Sequence, residues 1–311
     1  MKNILLNILL YFVLTNSLAQ NKSTLEMVRE NSGMDMTINT LESYVSENIK
    51  EKEQIAEFFY YWIGLNIKYN QEVLEKDKTI DEIENLSNPI VIFNERKGTC
   101  IGYSVLYQYF MDKFDIENEI IFGYARDEKN LTVEPDLDLD FYHSWNAVKI
   151  DNKWQLIDAT WLNEAENTQL GFYFNIDPEK LILDHYPNDD NWQLLEKPLT
   201  LKEFNSQPYI HSFYFQTGFP EKPILRSDES HYYLKFKKNP NKNWLVKLTY
   251  SFENSEFKSV APDYVKNENG FIYKFEKDKI PKGSIIKMDL TDFNESNQSM
   301  QTYENVGYFI L

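Results

Sequence analysis

The sequence predicts an α+β fold followed by an all-β sandwich. Three observations carry this. Residues 51–114 place apolar side chains three and four apart, as helices do. Residues 119–161 change to strand-like runs broken by turn residues. From about residue 220 the helical spacing disappears, and short aromatic and β-branched runs recur to the end of the 311-residue chain. Helices first and an antiparallel sheet second is the α+β order.

The elements follow in turn. Met1-Lys2-Asn3 is a short positive start, and Ile4 to Leu14 is almost wholly apolar. Small residues then lead to Ala19. Residues 1–19 read as a secretory signal peptide cut after Ala19. The apolar run is far shorter than the ~20 residues of a spanning helix, and no later run is longer, so no membrane span is expected. The mature chain is expected to be secreted or periplasmic. Residues 20–40 are polar and read as a loose leader.

From Glu51 to Asn66, Ile55, Phe58, Phe59, Trp62 and Ile63 form one stripe of an amphipathic helix. Ser87-Asn88-Pro89 reads as a cap and first turn of a short helix running to about Arg96, with Gly98 as its C-terminal glycine. Thr99 is placed to cap a helix from Cys100 to Phe114. Glu119 to Ala125 reads as a strand. "RDEKNLTVEPDLDLD", residues 126–140, is acidic but lacks the spacing and glycine of a calcium loop, so it reads as solvated. His143 to Ile150 and Lys153 to Trp161 read as two strands joined by a two-residue Asp151-Asn152 turn. Residues 41–210 form the core with a mixed extension, and 220–311 the sandwich.

Composition excludes some functions. The net charge is −17, and loss of residues 1–19, which carry Lys2 and no acid, makes it one unit more negative. Such a chain repels phosphate backbones, so nucleic acid is not an expected partner. Aromatic residues at 15% and apolar residues at 42% supply a packed core. No Cys/His cluster or His-Glu-x-x-His motif exists, so neither metal nor cofactor is expected.

The chain has one cysteine. An exported protein with one thiol forms no internal disulfide. Cys100 stands in the first turn of a predicted helix, where free N–H groups favour thiolate, with Arg96 and Lys97 just upstream. Across the two-residue turn, residues whose numbers sum to 303 lie opposite one another. His143 then faces Thr160, Asp158 faces Trp145, and His143 and Asp158 are diagonal neighbours on one face. A carboxylate beside an imidazole fixes its tautomer and leaves the other nitrogen for a nucleophile. Cys100, His143 and Asp158 are therefore the candidate nucleophile, base and orienting acid.

"GTCIGYSVLY" and "HSWNAVKIDNKWQLIDATW", in that order, resemble the core motifs of the transglutaminase-like superfamily. There the pattern is Gly-x-Cys-x-Gly-Tyr, then His-x-Trp-Asn, then a Trp strand ending in Asp-x-Thr-Trp. The resemblance covers residues 50–165 and gives Cys100, His143 and Asp158 the same roles. "FYFNIDPEKLILDHYPNDDNWQLLEKPLTLKEFNSQPYI" is similar to the segment after this core in the kyphoscoliosis peptidase and cytokinesis-linked group. The resemblance implies a papain-like core and an immunoglobulin-like sandwich.

It further implies a thiol enzyme acting on amide bonds of peptides or proteins, as a peptidase or deamidase. Hydrolysis is expected over cross-linking, because the calcium-dependent cross-linkers carry further domains. The superfamily's enzymes often place an upstream side chain near the oxyanion, and here Trp62, Asn66 and Tyr69 are all candidates. The alternative is a non-catalytic protein-binding module on the same fold, with the sandwich as a second binding surface.

Overall fold

The computed structural model describes residues 22–33, 35–72, 86–134, 143–162, 170–237, 244–253, 255–267, 270–294 and 299–311. Statements of structure concern those residues. The signal-peptide expectation for residues 1–19 lies outside them, as does the end of the acidic loop.

The expected loose leader is instead ordered into helix α1, Thr24–Glu30, and the start of α2, Ile38–Asn48. Ser23 and Glu26 form a reciprocal capping box that satisfies two backbone N–H groups at the start of α1. Val28 is fully buried, and the Trp62 indole N–H donates to Asn31 O at 2.8 Å. α3, Lys52–Asn66, buries the expected stripe of Ile55, Phe58, Phe59, Trp62 and Ile63.

A two-residue strand β1, Lys68–Tyr69, leads on toward α4, Pro89–Glu95. Asn88 caps α4 by accepting from the N–H groups of Ile90 and Val91. This helix ends near Arg96 as expected, but Gly98 is not its cap. Arg96 takes the left-handed conformation at φ 55°, and Gly98 instead lies in β2, Lys97–Gly98, which pairs parallel with β1. A non-glycine residue in that conformation costs about 1–2 kcal/mol. The Arg96 guanidinium stacks 4.4 Å from Trp62 and 4.1 Å from Phe93, contacts that offset the strain.

α5, Cys100–Lys113, follows at once. It packs with α3 on a sheet built from β3, Asn118–Ala125; β4, His143–Ile150; and β5, Lys153–Ile157. β6, Phe174–Ile176, helix α6, Pro178–Leu181, and β7, His185–Pro187, complete it in the order β6-β5-β4-β3-β7. Asp151 and Asn152 both have positive φ, 49° and 62°, which matches the strand twist in a two-residue hairpin. The register runs from Ile150 opposite Lys153 to Asn146 opposite Ile157, as the turn requires. β5 stops at Ile157, short of the expected Trp161. Asp158 accepts from Thr160 N–H at 2.8 Å and opens a 3-10 turn over Ala159–Trp161, so it lies beyond the ladder and not opposite Trp145.

Arg126, expected in a solvated loop, is 1% exposed. Its guanidinium donates to the carbonyls of Leu131, Leu183, Gln207 and Pro208.

After α7, Leu201–Ser206, come β8, Tyr209–Ile210, and α8, Ser212–Gln216. The remaining regular elements are β9, Ile224–Ser227; β10, His231–Lys237; β11, Trp244–Ser251; β12, Lys258–Ser259; β13, Asp263–Asn267; β14, Gly270–Glu276; β15, Ile285–Asn294; and β16, Ser299–Ile310, with a 3-10 turn at Lys277–Lys279. They form two sheets, β13-β14-β10-β9 and β12-β11-β15-β16-β8. Leu234, Phe236 and Phe271 from the first and Leu248, Met288 and Phe309 from the second share one buried core. This is consistent with a β-sandwich. β8 joins it by pairing Ile210 with Gly307, so the second sheet draws a strand from before residue 220.

Candidate active site

Cys100 is the first residue of α5 and is 7% exposed. Thr99 holds the cap position, but its side chain makes no cap hydrogen bond. The first N–H groups of the helix are thus not claimed by Thr99 and favour an anion beside them. His143 opens β4 and Asp158 follows β5, so both stand at one end of a hairpin whose register the Asp-Asn turn sets.

The His143 Nε2 lies 2.7 Å from Asp158 Oδ2, and both side chains are buried. This leaves Nδ1 for the thiol. Burial alone would push the Cys100 thiol up. A hydrogen bond and charge from His143, with contacts from the Ser144 N–H and hydroxyl, overturn that and lower it. Burial likewise disfavours imidazolium, but the Asp158 charge and hydrogen bond, with the thiolate opposite, raise His143 to about 10. Asp158, despite burial, is held well below the usual carboxylate range by His143 and His185. The three shifts run in the same sense, favouring thiolate at Cys100, imidazolium at His143 and an ionised carboxylate at Asp158.

Arg96 and Lys97 were expected to add positive potential at the thiol. The Arg96 guanidinium instead stacks on Trp62 and Phe93 and donates to Met36 O, and the thiol is lowered chiefly by His143 and Ser144.

The three upstream candidates separate by place. Trp62 is fully buried in the helical core, stacked on Phe93. The Asn66 amide donates to Ser32 Oγ and Trp62 O. Tyr69, held beside Gly98 by the β1–β2 pairing, meets Cys100 at both the backbone N–H and the thiol. Partial burial and the thiolate charge push its phenol up to about 12, so it remains a neutral O–H. It is the side chain of the three placed to meet an oxygen bound at the Cys100 N–H.

The sequence reading missed His185. Its Nε2 lies 3.0 Å from Asp158 Oδ2, the same oxygen that meets His143, and its Nδ1 lies 2.6 Å from Asp184 Oδ1. The Tyr173 hydroxyl donates to the other Asp184 oxygen at 2.9 Å. Trp145 stacks on His143 with ring centroids 5.8 Å apart, and Trp161 lies 4.4 Å from the His185 ring. The adjacent Asp184-His185 pair in an apolar stretch was the available signal, but only the pairing of β7 with β3 brings it to the site. Gly123 makes that pairing close: a Cβ there would lie 2.3 Å from Tyr186 O and 2.8 Å from the Trp145 ring.

His143, Asp158 and His185 together offer three ligand atoms within 4.8 Å of one another, a metal-like grouping. Their 2.7 and 3.0 Å separations are those of shared protons.

Residues 39–159 match the model of the transglutaminase-like superfamily. Kyphoscoliosis peptidase of Mus musculus is 28% identical over 203 residues, covering 60% of this chain and 30% of that protein. Its Homo sapiens counterpart is 27% identical over 213 residues, covering 64% and 31%. Cytokinesis protein 3 of Schizosaccharomyces pombe is 24% identical over 166 residues, covering 51% and 18%. The chain therefore spans about a third or less of the length of these relatives. Among the described residues no helix is long and apolar enough to cross a membrane. Cys100, His143 and Asp158 all lie inside residues 39–159, the span that is similar to the transglutaminase-like superfamily core.

Proposed function

We propose that this chain is an exported thiol enzyme acting on amide bonds of peptides or proteins, with Cys100 as nucleophile, His143 as general base and acid, and Asp158 as the orienting carboxylate. One observation carries the reading. The chain's single cysteine stands at a helix start and meets a buried imidazole whose far side is held by a buried carboxylate.

The Cys100 thiolate attacks the amide carbon, and the carbonyl oxygen takes the negative charge. That oxygen is met by the Cys100 N–H and the Tyr69 O–H. As the tetrahedral intermediate collapses, His143 gives its proton to the leaving nitrogen, and ammonia or an amine departs from a thioester. Water then attacks the thioester, His143 takes its proton, and the acid product leaves with the thiol restored. Hydrolysis of a peptide bond or of a glutamine side chain uses the same steps, and a lysine amine in place of water completes cross-linking. Hydrolysis is the preferred outcome, and two of the similar proteins carry the name peptidase. The C-terminal sheets, read as an immunoglobulin-like sandwich, supply a surface for a protein substrate or partner. Export rests on residues 1–19 as a signal peptide.

The test incubates the mature protein with a diverse peptide pool and reads cleavage, deamidation and cross-linking by mass spectrometry. Product that vanishes in Cys100→Ala and falls at least ~10³-fold in His143→Ala is the expected result. No product, together with Cys100 alkylation that rises only at alkaline pH, would leave the chain a protein-binding module. The mass of the exported protein checks cleavage after Ala19.

A further inference from the structure

Asp158 Oδ2 serves two imidazoles at once, His143 at 2.7 Å and His185 at 3.0 Å. His185 is itself held on its other nitrogen by Asp184 at 2.6 Å, and its side chain is fully buried. Both of its nitrogens therefore face carboxylate oxygens. A neutral imidazole has one N–H and would turn a lone pair toward one of these oxygens. An imidazolium satisfies both. The Tyr173 hydroxyl donates to Asp184, which leaves that carboxylate as an acceptor toward His185.

Charge balance agrees. The groups facing His185 are Asp158, Asp184 and the His143 imidazolium, with Arg126 acting on Asp184 from behind and the uncharged rings of Trp145, Trp161 and Tyr173 closing the sides. With His185 protonated, the two buried carboxylates are matched by His185 and Arg126, and the thiolate by His143. With His185 neutral, one buried negative charge is left over.

We propose that His185 is a positioning residue, a buried cation clamped by Asp184 that fixes the shared oxygen of Asp158 and limits the hold of that carboxylate on the His143 proton. This rests on the catalytic reading of Cys100, His143 and Asp158. The chemical need is specific. His143 must keep its proton opposite the thiolate and then release it to a leaving nitrogen. An Asp158 charge acting alone strengthens the first at the expense of the second. A second cation on the same oxygen, with ring centroids 5.1 Å from His143, moderates it. The surroundings favour the charged form. Burial opposes it, but the Asp184 charge and the hydrogen bonds to both carboxylates raise the His185 pKa.

The experiment labels histidine with ¹⁵N and ¹³C and reads both imidazoles by NMR against pH, beside the pH dependence of Cys100 alkylation by iodoacetamide. In the unmodified protein both His185 nitrogens should be protonated at pH 7. A neutral His185 there overturns the proposal without any variant. His185→Gln keeps a donor to Asp158 but removes the charge. The His143 midpoint should then rise by about one pH unit, because a like charge has gone. Asp184→Asn should move it the same way by less. A merely structural role predicts the opposite, since a displaced Asp158 would let His143 fall toward its ordinary value. An unchanged or lowered midpoint in both variants overturns the proposal. The catalytic reading fails separately, if the unmodified protein shows no alkylation plateau at acidic pH.

Discussion

Two clusters in this chain use the same residue types and differ in burial. In the core, His185 bonds Asp184, and Asp184 accepts from Tyr173. In the C-terminal sheets, His231 lies beside Asp228, and Asp228 accepts from the Tyr233 hydroxyl. The first pair has side-chain exposures of 0% and 5% and a 2.6 Å separation. The second has 24% and 50% and 3.9 Å. In the core the carboxylates outweigh burial and raise both histidines, and His143 in turn lowers the thiol. At the surface Asp228 is lowered by Tyr233 and by the N–H groups of Ser230 and His231, and its hydrogen bonds stay within residues 228–233. Screening by water makes the second arrangement a turn, and exclusion of water makes the first a relay.

Asn substitutions test that contrast most strongly. Asp158→Asn should lower turnover and the acidic alkylation plateau by about 10²–10⁴-fold, since the imidazole loses its orientation and its counter-charge. It should also cost roughly 3 kcal/mol of stability, read by urea unfolding. Asp228→Asn should leave the plateau unchanged. Equal effects from the two would break the comparison.

Tyr69→Phe should be smaller, about 10- to 10²-fold in kcat with little change in alkylation, because the hydroxyl meets the oxyanion and not the alkylating agent. A loss confined to alkylation would remove Tyr69 from the oxyanion site.

The smallest effect is a matter of pH. His143 rises from 6.5 to about 10 on folding, so its contribution is full below pH 6.5 and is lost as pH climbs through 10. Asp158 is lowered from 3.8, so its contribution is full above that value and is lost on acidification. The Tm difference between the parent and Asp158→Asn should be widest between about pH 4 and 6.5 and should narrow toward pH 10. A difference that widens on the alkaline side would reverse the sign assigned to His143.

The hairpin was legible because a two-residue turn leaves no freedom in register, so the pairing from Ile150–Lys153 to Asn146–Ile157 could be read from numbering alone. The hydrophobic stripe of α3 was legible for the same local reason. What escaped was long-range or weakly marked. His185 reaches Asp158 only because β7 pairs with β3, residues about sixty positions away in the chain. The end of β5 was misjudged because Asp158 caps its own 3-10 turn and so leaves the ladder. Helix α1 was hidden by its polar surface, although Ser23 and Glu26 carried the capping signal. The cap of α4 was assigned to Gly98 by residue preference, whereas Arg96, stacked on two aromatic rings, takes the left-handed conformation there. Among Trp62, Asn66 and Tyr69, the first two lie on α3 and the third beyond its end in β1, a distinction the β1–β2 pairing makes and spacing does not.

The Arg126 guanidinium, bonded to carbonyls of Leu183, Gln207 and Pro208, has a consequence for a chain emerging from the ribosome. Cys100, His143 and Asp158 are made well before any of those carbonyls. β8, next to them, waits longer still, for the arrival of Gly307 and Tyr308. At ~5–20 residues per second, that interval is many seconds. Until Asp184 and His185 have been made, the shared oxygen of Asp158 lacks its second imidazole. The order of synthesis thus completes the surroundings of His185 after the three site residues, and the sheet that β8 joins later still.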